Sequence, residues 1–135
     1  MLLRLTPTLG GDGTVYGIIA MNDTGSDALS LFTTDLPHLG GNIQGYLGWN
    51  ALTRIMDANG GSIVVPRIVV QVRLVRDDNT PWGDWIDELA IVKQPILNMP
   101  RLSGVWMRHV LFFGTAPGNH LLAVSATKGG LTSLL

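Results

Sequence analysis

Asp23, Thr24, Gly25, Ser26 and Asp27 form the stretch of this chain best equipped for chemistry. They lie between two apolar runs, Val15-Tyr16-Gly17-Ile18-Ile19-Ala20-Met21 and Ala28-Leu29-Ser30-Leu31-Phe32. An acid lifted from the end of a buried strand by a tight glycine turn is a costly place to keep a charge. A carboxylate so placed is a candidate for general acid–base work. The plainer reading of Asp23 is a turn residue that caps its own backbone.

Other residue types offer less. His38, His109 and His120 are far apart and have no ligand spacing, so no metal site is expected. Ser26 and Ser103 lack the Gly-x-Ser-x-Gly turn of a hydrolase nucleophile. Gly10-Gly11-Asp12-Gly13 has neither the lysine nor the helix start of a phosphate loop. Trp49, Trp82, Trp85 and Trp106 could form a binding platform, but such residues more often pack in a core or an interface. Trp82 and Trp85, near Pro81, are expected to be the exposed pair.

The elements that must position the acidic loop read as short strands. Seventeen glycines and seven prolines punctuate the chain at brief intervals, the pattern of a mostly β domain. Gly10–Gly13 turns residues 2–9 toward 14–22 as a hairpin, and 36–48 is loop-like. Leu52–Met56 is strand-like, and Asp57-Ala58-Asn59-Gly60-Gly61-Ser62 is a hairpin turn, since Asn-Gly tolerates positive φ. Residues 67–75 alternate clearly, with Ile68, Val70, Val72 and Leu74 on the buried face. A strand over 85–92 follows. Ser103 as N-cap and Gly114 as stop predict a helix with Leu102, Val105, Trp106, His109, Val110 and Phe113 along one stripe. A last strand is expected over 120–126. No repeat or linker appears, so 1–135 reads as a single domain.

Composition agrees with a packed core: 46% of residues are hydrophobic and only 14% charged. Nine Lys+Arg against ten Asp+Glu leave no charge block for nucleic acid or a membrane surface. The sparse charge suggests surface that another subunit covers. Cysteine is absent, which excludes disulfides and thiolate zinc sites and fits a reducing compartment. The apolar part of Met1–Leu5 is too short for a signal peptide or membrane span, so an intracellular, cytoplasmic setting is expected.

The succession of elements adds to the motif. A strand and loop carrying Asp-Thr-Gly are followed by a hairpin, a long amphipathic strand, another strand, and Leu102-Ser103-Gly104 before the expected helix. Over roughly residues 14–126 this resembles one subunit of a retropepsin, the dimeric aspartic protease of retroviruses and LTR retroelements. The resemblance implies an all-β, closed acid-protease barrel with one short C-terminal helix, acting as a homodimeric endopeptidase without metal or organic cofactor.

By the same resemblance Asp23 is the catalytic acid, and Thr24 braces the two loops across the dimer. Gly25 approaches the substrate backbone, Ser26 donates to the catalytic carboxylate, and Asp27 binds backbone at the cleft edge. Asn59, Gly60 and Gly61 form the mobile flap tip, with Gly45-Tyr46-Leu47-Gly48-Trp49 as a rival assignment. The chemistry needs two carboxylates about 3 Å apart sharing one proton, and one Asp-Thr-Gly supplies only half of them. A symmetric homodimer with its axis between two copies of Asp23 completes the site. The substrate would be an extended peptide or polyprotein laid in as an added strand. Such proteases are often cut from a longer retroelement polyprotein, and the apolar end 131–135 suggests a domain excerpt.

Two positions depart from the family pattern. Asn22 and Ser103 stand where apolar residues are usual, and Arg108 is the nearest candidate partner for Asp27. The competing readings are a catalytically inactive retropepsin-like dimerisation or peptide-binding module, and an unrelated β-sandwich binding domain.

Overall fold

Strand alternation organises the molecule. A computed structural model describes residues 1–56, 60–118 and 120–135. In chain order the strands are β1 (Leu2–Leu5), β2 (Tyr16–Gly17), β3 (Ala20–Met21), β4 (Leu29–Phe32) and β5 (Trp49–Met56). They continue with β6 (Ser62–Val75), β7 (Pro81–Lys93), β8 (Arg101–Leu102), β9 (Phe112–Gly114) and β10 (Ala123–Ser125), before one α-helix, α1 (Lys128–Leu134). The chain is mostly β.

The largest sheet runs β2-β1-β6-β7-β4, with β5 also on β6. β6 is the spine: its upper part pairs antiparallel with β1 and its lower part with β5, while β7 follows its other edge. Ile68, Val70 and Val72 are buried as the alternation predicts, and they pack with Leu3, Leu5, Ala90 and Met107. Every residue of β4 is buried, because it lies beside β7 on one side and β8 on the other. Two smaller pairings, β3 with β8 and β9 with β10, complete the strands.

Three expectations are corrected. The sheet does not close into a barrel: β2 and β4 end its strand order without pairing to each other, and β5 lies along only one part of β6. The hairpin of 2–9 with 14–22 forms only as Leu2↔Gly17 and Leu3↔Tyr16, because β3 leaves to pair elsewhere. The helix over 103–114 is not formed. Leu102 belongs to β8, Trp106–His109 makes one 3-10 turn, and Phe112–Gly114 is β9. The segment is short and holds β-branched and aromatic residues that lose side-chain freedom in a helix, so extended pairing with β10 wins. Met107, outside the expected stripe, is the buried residue of that turn.

Among the described residues the one α-helix lies instead at the C-terminal end. Thr127 caps it by accepting from the Gly130 amide at 3.0 Å, which compensates for two glycines in its first turn. Its Leu131 and Leu135 lie against Gly114 of β9. Among the described residues no helix is long and apolar enough to cross a membrane.

Candidate functional site

β3 and β8 are neighbours in space though remote in sequence. They pair in parallel, Ala20↔Arg101 and Met21↔Leu102, and the Ser103 amide donates to the Met21 carbonyl at 2.9 Å. The apolar run before the loop is only half buried: Ile18 is in the core, whereas Ile19 is 87% exposed and Met21 is also exposed. Directly beyond β3 the Asp23 amide donates to Ser103 Oγ at 3.1 Å. Asp23 Oδ1 then accepts from the Gly25 amide at 2.9 Å and closes a turn over Thr24. Asp23 is half-buried, while Thr24, Gly25 and Asp27 are exposed.

Gly25 separates a turn that needs glycine from one that merely contains it. Its φ is not in the left-handed region, and an added Cβ would meet only Asp23 Oδ1, at an ordinary 3.4 Å. Nothing in the fold excludes a side chain there. What glycine provides is open space directly over the carboxylate.

Two expected contacts are not made. Ser26 Oγ donates to the Ala28 carbonyl at 2.7 Å rather than to Asp23, because a hydroxyl two residues before a carbonyl closes a local turn. Arg108 does not meet Asp27. Its Nη2 donates to Asn22 Oδ1 at 2.6 Å and to Ser103 Oγ at 2.9 Å, and its Nη1 to the Gly104 carbonyl at 2.7 Å.

Of the expected flap tip, Asn59 lies outside the described residues. Gly60 adopts φ +81°, the left-handed conformation that the turn chemistry predicts, and both Gly60 and Gly61 are exposed. The strands leading to this tip pair from Thr53↔Val65 to Met56↔Ser62, beyond a bulge at Asn50/Thr53. Leu52 is 67% and Met56 74% exposed, and Ile63 and Val64 are also exposed, so apolar side chains stand in solvent on both strands of this ribbon. The rival segment is instead anchored in the core by Tyr46, although Leu47 beside it is exposed. Tyr46 is buried, its hydroxyl donates to the Val69 carbonyl at 2.7 Å and accepts from the Thr6 amide at 2.9 Å, and a Cβ on Gly48 would overlap its ring. Trp82 and Trp85 are half-buried, and Arg4 lies over the Trp85 ring at 4.1 Å.

Behind the loop lies a buried carboxylate that sequence reasoning passed over. Glu88 is 0% exposed, and it accepts from the Trp106 and Met107 amides at 3.2 Å each. Burial pushes its carboxyl above the usual range, against the opposing pull of those amides and of Arg108. A Cβ on Gly104 would overlap Glu88 Oε1, so this glycine is required by the acid behind it. A signal existed in the alternation Ile86-Glu88-Ala90-Val92, but Leu89 and Ile91 make the other face equally apolar and hide the phase.

A second buried acid secures the start of β8. Asp35 receives Arg101 Nη2 at 2.6 Å and Nε at 2.9 Å, and also accepts from the Phe32 amide at 2.8 Å. Leu102 N–H donates to the buried Ser30 Oγ at 2.6 Å. This pairing joins segments that only the folded topology brings together. The loop thus presents a half-buried Asp23 carboxylate backed by Ser103 and Arg108, with Asp27 exposed beside it. Among the described residues no three acids or histidines gather closely enough to hold a metal ion. No protein-family model, curated protein or solved structure matches the chain.

Proposed function

We propose that this chain is one half of a homodimeric, retropepsin-like aspartic endopeptidase, with Asp23 supplying half of a catalytic dyad. The observation that carries the reading is Gly25, a residue the fold does not require to be glycine, whose missing side chain leaves room over the Asp23 carboxylate.

In this reading a water lies between the two Asp23 side chains. The ionised carboxylate takes its proton while the neutral one polarises the peptide carbonyl. Thr24 braces the paired loops, Asp27 holds substrate backbone, and the ribbon ending at Gly60 and Gly61 closes over an extended peptide. The exposed Leu52, Met56, Ile63 and Val64 then gain apolar surface to pack against. Conversion of Asp23 to Asn is expected to abolish cleavage of an extended-peptide library while the sedimenting species stays dimeric. A stable monomer, or cleavage that survives Asp23→Asn, defeats the proposal.

The second reading is an inactive descendant that binds peptide without cutting it. The Ser26 hydroxyl, turned to Ala28 and away from the carboxylate, favours it. Saturable binding of the same peptides by a dimer with no turnover would select it.

A further inference from the structure

We propose that Arg108 is a positioning residue, and that with Asn22 and Ser103 it forms one polar clamp setting the Asp23 loop. The catalytic consequence rests on the peptidase reading, whereas the clamp itself does not.

The geometry runs through three acceptors. The guanidinium reaches Asn22 Oδ1 at 2.6 Å, Ser103 Oγ at 2.9 Å and the Gly104 carbonyl at 2.7 Å. Ser103 Oγ also accepts from the Asp23 amide at 3.1 Å. Both lone pairs of that hydroxyl are therefore engaged by donors, and Arg108 fixes the orientation in which it meets Asp23. Residues 22 and 23 are held by the same group, the first directly and the second through Ser103. Arg108 also lies 5.8 Å from the Phe113 ring, and its Nε is buried without a partner among the described residues. An orphaned buried N–H is unfavourable, and the side chain keeps this pose because its other donors are held in a planar fork. A lysine ammonium, a single point on a flexible stem, cannot span the same acceptors.

The clamp also explains two departures from the retropepsin pattern together. Asn22 and Ser103 are polar where apolar residues are usual; Asn22 is exposed and Ser103 buried, and Arg108 bridges the two. With Arg108 they become mutual partners that a single change at any one position breaks.

The test uses the full chain and its Arg108→Met, Arg108→Lys, Ser103→Ala and Asn22→Leu variants. Hydrogen exchange of the Asp23 amide is followed, with β6 amides as the control for folding. Arg108→Met is expected to speed exchange at Asp23 about tenfold or more while β6 is unchanged. Arg108→Lys should restore little of the protection. Adding Arg108→Met to Ser103→Ala should change little further, since both act on one bond. If the enzyme is active, kcat should fall roughly 10–100-fold with KM within about twofold, the mark of a misplaced acid rather than lost binding. Unchanged exchange at Asp23 in a folded Arg108→Met variant overturns the clamp. Should that variant not fold, full protection of Asp23 in Ser103→Ala overturns it equally. A wild-type chain without peptidase activity refutes the proposed function, while the exchange arm still decides the clamp.

Discussion

The Asp23 loop and the β5–β6 ribbon are opposites in how they are held. The loop stands on strands of only two residues, yet hydrogen bonds accepted by the Ser103, Asp35 and Ser30 side chains and donated by Arg108 tie that platform to the core. The ribbon has regular antiparallel pairing beyond its bulge, but past the buried Val65 its apolar Met56, Ile63 and Val64 all face solvent, as does Leu52 in the bulge. An isolated two-stranded hairpin is marginally stable in water. The difference separates a loop tied down by side-chain hydrogen bonds from a ribbon held mainly by backbone pairing. In the proposed peptidase the first would fix the acid and the second would serve as its cover.

The comparison breaks hardest at Gly104. A Cβ there overlaps the Glu88 carboxylate, and neither can yield, because the acid is fully buried and held by the Trp106 and Met107 amides. Gly104→Ala is expected to destabilise the chain by about 3 kcal/mol, read by denaturant unfolding.

Glu88 sharpens the contrast through pH. Its carboxyl is raised in the folded chain by burial, so folding favours the protonated form. Its stabilising contribution is complete below the ordinary glutamate range and declines as pH rises through the raised value. Glu88→Gln is expected to flatten that decline, so wild type and variant should converge in melting temperature at low pH and diverge above it.

The smallest effect on stability is expected in the ribbon. Leu52→Ser combined with Met56→Ser should change unfolding free energy by no more than about 0.5 kcal/mol, because neither side chain is buried. The same double variant should raise KM for extended peptides if the ribbon covers substrate. A large loss of stability instead would mean that the ribbon is packed in solution and the two regions are alike.

These contrasts were unevenly legible in the sequence. β6 could be read directly, because Ile68, Val70 and Val72 alternate with Arg67, Gln71 and Arg73 and burial follows that period. The tip turn was legible for the same local reason, with glycine at a left-handed position. Helical spacing in Val105–Phe113 is misleading because the segment divides into a 3-10 turn at Trp106–His109 and a short strand from Phe112 that pairs with β10. Loop geometry at Asp23 was half legible. The acid, glycine and flanking apolar runs are local, whereas Ser103, Arg108 and Asn22 meet only through tertiary contacts between sequence-distant segments. The polar identities of Asn22 and Ser103 have no local rationale in the sequence, because the arginine that joins them is remote from Asn22 in the chain.

The parallel pairing of β3 with β8 sets a schedule for assembly. Residues 20–21 wait for 101–102, and β4 waits for residues 90–93 of β7, so the loop acquires its support only after most of the chain is in place. Contacts between such distant segments close slowly. A nascent chain that stopped short of Arg101 would carry the Asp-Thr-Gly sequence without its scaffold, and any chemistry it performs would begin only after synthesis had passed that point.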